Sequence, residues 1–225
     1  RGNPIPIPPE ILTSGSLDQK PGNLDSIFNF YFNTQRESKP FYESKLVIVG
    51  DGGAGKTTLV QKLLNPNYQI TTTTEDYDWT RGIDIQPWEI LHPDGHPYRI
   101  NIWDFGGQQI YHTTHQFFLS RRSVFVLVHD NRKGQTDFQY WLDTIRLLGG
   151  DSPIIIVKNE KGGCHHPDES AFYVDQMAQV ILRTTNLATG KGFDELRCTI
   201  EQALCNLDHV GDPLPVPWVN IRNVL

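Results

Sequence analysis

Cysteine is scarce in this chain: three in 225 residues, at Cys164, Cys198 and Cys205. An odd and sparse set does not make a disulfide framework; it fits reduced thiols and a cytoplasmic location. Long apolar runs are missing as well. No stretch is long enough to span a bilayer as a helix, and none opens the chain as a signal peptide. Positive charge is in deficit. The formal net charge of −6 argues against a general nucleic-acid binder. No internal repeat recurs, and the motif set of a protein kinase is absent. What remains is ordinary for a folded globular chain: 38 % hydrophobic, 20 % charged, and length for one sizeable α/β domain with flanking sequence. Starting at Arg1 rather than Met, the chain reads as a piece of something longer.

What is present centres on residues 45–59, KLVIVGDGGAGKTTL. An apolar run, Leu46-Val47-Ile48-Val49, enters Gly50-Asp51-Gly52-Gly53-Ala54-Gly55-Lys56-Thr57, which matches G-x-x-x-x-G-K-[ST], the phosphate-binding P-loop. Glycines let the backbone curl so that N–H groups converge on phosphate oxygens. Lys56 places a point charge on the β- and γ-phosphates, and Thr57 offers a hydroxyl to Mg²⁺. The helix that follows, through Thr58, points its positive end at the anion.

Around this centre strands and helices alternate. Residues 1–22 are rich in Pro and Gly and read as an extended linker. Residues 23–37 read as a helix whose apolar stripe is Leu24, Ile27, Phe28, Tyr31 and Phe32, with Phe30 off the stripe. Residues 65–82 are threonine-rich and read as a mobile loop. Residues 83–90 and 98–103 read as two antiparallel strands turned by Asp94-Gly95, with Pro87 marking an edge strand or bulge. Residues 124–128 and 154–157 are continuous apolar runs, the mark of buried parallel strands. A helix lies between them on Phe138, Trp141, Leu142, Ile145 and Leu148, with Gly149 as its stop. Residues 168–181 read as helical, a short last strand falls within 180–186, and Phe193, Leu196, Ile200, Leu204 and Leu207 mark a closing helix. Such alternation predicts a doubly wound sheet with its ligand at the carboxyl ends of the strands.

A second constellation completes the phosphate side. Asp104 ends an apolar strand, where an acid faces the site and serves Mg²⁺ directly or through water. Gly107 lets a backbone N–H approach a γ-phosphate, and Gln108 is placed to orient an attacking water. Thr80, ahead of the strand at Ile83, can close onto Mg²⁺ and order its loop, with Thr71 to Thr74 as rivals.

These residues resemble the Ras-like GTPases, and more narrowly the Roc domain of Roco proteins. The resemblance to Roc rests on TRGIDIQPW, NIWDFGGQQIYHTTHQFFLSRRSVFVLV and the helix around Tyr140-Trp141-Leu142, over roughly residues 41–207. It implies an α/β P-loop NTPase fold, a Ras-like, mostly parallel six-stranded sheet flanked by helices. It implies a GTP- and GDP-binding switch that hydrolyses GTP slowly with Mg²⁺. The nucleotide would lie on Gly50, Asp51, Gly52, Gly53, Ala54, Gly55, Lys56, Thr57, Thr58, Gly107, Asn159 and Leu187. Lys56, Thr80 and Gln108 would serve catalysis, and Thr57, Thr80 and Asp104 the metal. The flanks fit the same family. GNPIPIPPEIL is similar to the end of a leucine-rich repeat, and PLPVPWVNIRNVL to the opening of a COR domain. The expected plan is a linker at 1–22, a connecting helix at 23–40, Roc at 41–210 and the start of COR at 211–225. Partners implied are the flanking repeat and COR units and a homodimer formed largely through COR.

The base-reading side departs from the family pattern. Where Ras-like proteins carry N-K-x-D, this chain has Asn159-Glu160-Lys161-Gly162. The missing Asp is the carboxylate that accepts both guanine N–H groups, a contact worth several kcal/mol by order of magnitude. Asn186-Leu187-Ala188 stands where S-A-K is expected. Two alternatives follow: a scaffold or dimerisation module that binds nucleotide poorly, or a nonspecific NTPase. Cys164-His165-His166 reads as a solvated loop rather than a metal site. His112 and His115 fit equally a part in shaping the second switch and a partly exposed helix face, and Arg81, Arg121 and Arg122 read as surface charge rather than arginine fingers. Cys198 and Cys205 read as packing residues, and Trp88, Trp103 and Trp141 as core or interface aromatics.

Overall fold

The computed structural model describes residues 37–70, 82–106, 122–130, 138–162 and 180–222, with residue 25 and residues 27–31 of a helix ahead of them. They divide into two compact units, Glu43–Asp208 and a smaller one drawn from the flanks, within Arg1–Tyr42 and His209–Leu225.

In the larger unit the elements run β2 (Glu43–Gly50), α1 (Lys56–Leu64), β3 (Ile83–Leu91), β4 (Pro97–Phe105), β5 (Ser123–Asp130), α2 (Phe138–Gly149), β6 (Ile154–Asn159), β7 (Val180–Thr185) and α3 (Phe193–Cys205). One six-stranded sheet has the order β3-β4-β2-β5-β6-β7. All neighbours are parallel except β3 and β4. The expected Ras-like sheet with one antiparallel hairpin is therefore present. Leu46 to Val49, Val124 to Val128 and Ile154 to Val157 are no more than 3 % exposed. That burial explains their unbroken apolar runs, since strands covered on both faces have no side left for polar residues.

One face is filled from α2. Phe138, Trp141, Leu142 and Ile145 join Val47, Val49, Phe125 and Ile156 in a single cluster. Alternate residues of the same strands, Leu46, Ile48, Ile102 and Val126, are equally buried on the opposite face. The β3–β4 turn closes at Asp94-Gly95, where Gly95 takes φ 91 with open space around it. His92 N–H donates to His96 O (2.9 Å) and Gly95 N–H to His92 O (2.8 Å). Pro87 sits opposite Asn101 in β3, the outermost strand, where a missing donor is tolerated.

In the smaller unit, β1 (Ser38–Pro40) pairs antiparallel with β8 (Pro213–Pro215), followed by α4 (Val216–Arg222). Phe41 N–H donates to Asp212 O and Gly211 N–H to Phe41 O, both at 3.0 Å. The two flanks are thus stitched to each other.

Several local expectations fail for physical reasons. Phe30, placed off the apolar stripe, is 2 % exposed, and Phe28, placed on it, is 53 % exposed. Residues 38–40 form a strand instead of continuing a connecting helix, because residues far along the chain supply its partner. Gly149 closes α2, yet the left-handed residue is Gly150 (φ 62), whose N–H donates to Arg146 O at 3.0 Å. Gly149 is needed for space instead: a Cβ there would lie 2.5 Å from the Phe125 ring. Residues 180 and 181 belong to β7 and not to the helix expected over 168–181, whose remainder lies outside the described residues. Leu207 lies past the end of α3, and Cys198 is exposed rather than packed.

Candidate functional site

The parallel strands bring their carboxyl ends to one edge. In register, Ile48 faces Asp104, Gly50 faces Val128, Asp130 faces Asn159 and Asn159 faces Thr185. The chain leaves β2 toward β4 on one side and β5 on the other, so Gly50 opens onto the point where the strand order reverses.

Gly50 cannot be replaced by another residue in this geometry. It holds φ 134, and a Cβ would lie 2.2 Å from Val128 O. Gly53 takes φ 76 and Gly55 φ 107, so the loop winds through left-handed positions that bring N–H groups to one side. Gly55 caps α1 with no side-chain hydrogen bond, leaving the first-turn N–H groups directed at the loop. Lys56 is buried, with its Nζ donating to Gly50 O and Asp51 O, both at 2.9 Å. The ammonium therefore sits across the mouth of the loop. Thr57 is exposed, and its Oγ1 donates to Asp104 Oδ2 at 2.7 Å. Asp104 itself is 2 % exposed. A hydroxyl and a buried carboxylate beside a convergent set of N–H groups is a hard-oxygen donor set, the kind that suits Mg²⁺ carrying a phosphate chain. Toward the other end of β2, burial holds Lys45 below its ordinary pKa, with Nζ 4.2 Å from the Trp103 ring centroid.

Residues 45–162 match the family described as Ras of Complex, Roc, domain of DAPkinase. This chain belongs to the Roc family. A Roc-COR-CHAT protease from an unknown prokaryotic organism is 30 % identical over 199 residues, covering 79 % of this chain and 18 % of that protein. A probable serine/threonine-protein kinase, pats1, of Dictyostelium discoideum is 28 % identical over 243 residues, 97 % of this chain and 7 % of the relative. The chain thus spans a small part of these relatives. A solved structure, Methanosarcina barkeri Roco2 RocCORdC bound to GDP, superposes with a TM-score of 0.70 at 31 % identity, covering 84 % of this chain and 57 % of that one.

Within this Roc chain the two sides of the site differ. Gly50, Lys56, Thr57 and Asp104 converge as the motif predicted. Asn159 and Leu187, expected at the base, make protein contacts. Asn159 is 1 % exposed; its Nδ2 donates to Ala54 O at 2.9 Å, and its Oδ1 accepts from Leu187 N–H at 3.2 Å. The Leu187 side chain is buried against Gly55, 3.4 Å from where a Cβ would stand. Both residues tie β6 and the turn at 187 to the phosphate-binding loop. Ala188 N–H is also engaged, donating to Asn186 Oδ1 at 3.0 Å. Gly162 holds φ 58 with open space where a side chain would stand.

Thr80, Gly107 and Gln108 lie outside the described residues, as do Arg81, Arg121, His112, His115, Cys164, His165 and His166. Two residues of the site escaped sequence reasoning. Asp130 ends β5 at 1 % exposure, and Lys161 reaches the loop, donating to Gly53 O at 2.6 Å. The available signal was positional: an acid at the carboxyl end of a buried strand, as for Asp104.

Proposed function

We propose that this Roc chain is a GTP-binding and hydrolysing switch. The observation that carries this reading is the phosphate cradle: left-handed glycines, Lys56 across the mouth, and Thr57 bonded to buried Asp104. The similar Roco2 RocCORdC structure is bound to GDP, which supports guanine nucleotide as the ligand. Thr57 and Asp104 would hold Mg²⁺, which when bound supplies positive charge to the β- and γ-phosphate oxygens. Lys56 adds a second charge, and the backbone N–H groups of 52–57 orient the chain of phosphates. Thr80 would close onto the metal side, Gly107 would approach the γ-phosphate, and Gln108 would orient water. The loops 65–82 and 104–122 would carry nucleotide state to the flanks. Those flanks are read as the end of a leucine-rich repeat region and the start of COR, in a cytoplasmic protein that dimerises largely through COR. Joining of β1 to β8 supports a shared junction for the two.

The test is single-turnover GTP hydrolysis with Lys56→Ala. Turnover is expected to be lost or strongly slowed; unchanged turnover contradicts the proposal. A second reading, a scaffold that binds nucleotide weakly, draws on the engaged Asn159 and Leu187 and the bare Gly162.

A further inference from the structure

We propose that Lys62 is a positioning residue that latches the root of loop 65–82 to the start of α3. Lys62 stands in the last turn of α1, where a lysine ordinarily carries its ammonium out to water. Here it is 7 % exposed. A buried cation has to be compensated inside the fold. Among the described residues, Lys62 finds that compensation at a carbonyl and a ring. Its Nζ donates to Tyr68 O at 3.1 Å and lies 5.7 Å from the Phe193 ring centroid. Phe193 opens α3 and is buried.

The chain between Lys62 and Tyr68 folds back onto the ammonium. α1 ends at Leu64, and Asn65 N–H still donates to Gln61 O at 2.8 Å. Tyr68 N–H then donates to Asn65 O at 2.9 Å, closing a turn with Pro66 as its second residue. Asn67 N–H donates to Asn65 Oδ1 at 3.1 Å. The turn brings Tyr68 O to the end of α1, six positions on from Lys62. Lys62 therefore holds the peptide through which the loop leaves the turn. The Phe193 end is tied down as well. Phe193 N–H donates to Gly190 O at 3.1 Å, and Asn186 N–H to Lys191 O at 2.9 Å. One ammonium thus joins the loop root to the turn ahead of α3. The latch needs no nucleotide, so it stands apart from the switch reading above.

The test is amide hydrogen exchange without nucleotide, read at Asn67 and Tyr68, with the amides of β5 reporting global opening. Wild type is compared with Lys62→Met, Phe193→Leu and the double variant. Lys62→Met removes the donor and keeps an apolar stem; Tyr68 is half-buried, so water can take over its carbonyl. Exchange at Asn67 and Tyr68 is expected to quicken about tenfold, the scale of one hydrogen bond to a charged group, while β5 stays near wild type. Unchanged exchange at both amides overturns the latch. Equal quickening in β5 marks a general loss of stability and overturns the positioning role. Phe193→Leu is expected to quicken the same two amides about threefold relative to β5, the scale of one cation–π contact, and to add nothing in the Lys62→Met background. An equal effect in both backgrounds shows that the ring acts apart from the cation and overturns the tie to α3. Should Phe193→Leu fail to fold, Phe193→Met takes its place with the same outcomes.

Discussion

Replacing Asn159 with Ala removes a buried side chain with two hydrogen bonds at this edge of the sheet. Its amide joins three segments: the end of β6, the loop at Ala54 and the turn at Leu187. The Asn159 side chain is buried, so truncation leaves Ala54 O and Leu187 N–H without it in a dry site. Each orphaned group costs about 1–3 kcal/mol. The sum, roughly 2–6 kcal/mol, corresponds to a fall in melting temperature of roughly 4–24 °C for a chain of this size. Asn159→Asp sharpens the test because it is nearly isosteric. It keeps an acceptor for Leu187 N–H but turns an oxygen toward Ala54 O and sets a carboxylate opposite Asp130. At neutral pH it is expected to be at least as damaging as Ala. The assay is thermal and urea unfolding of both variants, with the urea slope checked against wild type. An Asn159→Ala protein melting within about a degree of wild type, or a silent Asn159→Asp, would refute the three-way lock.

Two further predictions concern the frame. Gly149→Ala is expected to cost about 1–3 kcal/mol by overpacking, since the new methyl meets the fully buried Phe125 ring at 2.5 Å; urea unfolding measures it, and a neutral result would show that α2 can shift. Tyr98 is fully buried, its hydroxyl donating to Leu204 O (2.9 Å) and sharing a hydrogen bond with Ser44 Oγ (2.6 Å), and burial pushes its pKa up to about 12. The neutral phenol is the folded form. Its contribution is therefore complete below the unfolded value near 10 and is lost as pH rises toward 12, by roughly 2–3 kcal/mol in all. Tyr98→Phe should flatten unfolding free energy over that window, and an unchanged slope would contradict the assignment.

Local chemistry made much of this legible. The buried strands announced themselves as unbroken apolar runs, the hairpin as Asp94-Gly95, and the phosphate loop as glycines ahead of Lys56 and Thr57. Each of these is decided by residues within one turn or strand. What stayed hidden depends on distant partners. Nothing local to Asn159 says that Ala54, 105 residues away, accepts from its amide. Nothing local to Lys161 says that Gly53 and Asp130 stand beside it. Pairing of residues 38–40 with 213–215 joins opposite flanks and leaves no periodic trace in either. The choice between Gly149 and Gly150 turned on whether backbone angle or the Phe125 ring was limiting, which composition alone does not separate.

The measurement that bears most directly on the switch reading is calorimetric titration of the protein with GDP, GTP, ADP and ATP in the presence of Mg²⁺. The phosphate cradle built on Gly50, Lys56, Thr57 and Asp104 predicts micromolar binding of the guanine nucleotides, lost in Lys56→Ala. Absence of heat with every nucleotide would contradict it and leave the scaffold reading standing, and equal affinity for ADP and GDP would contradict guanine selectivity while sparing the cradle.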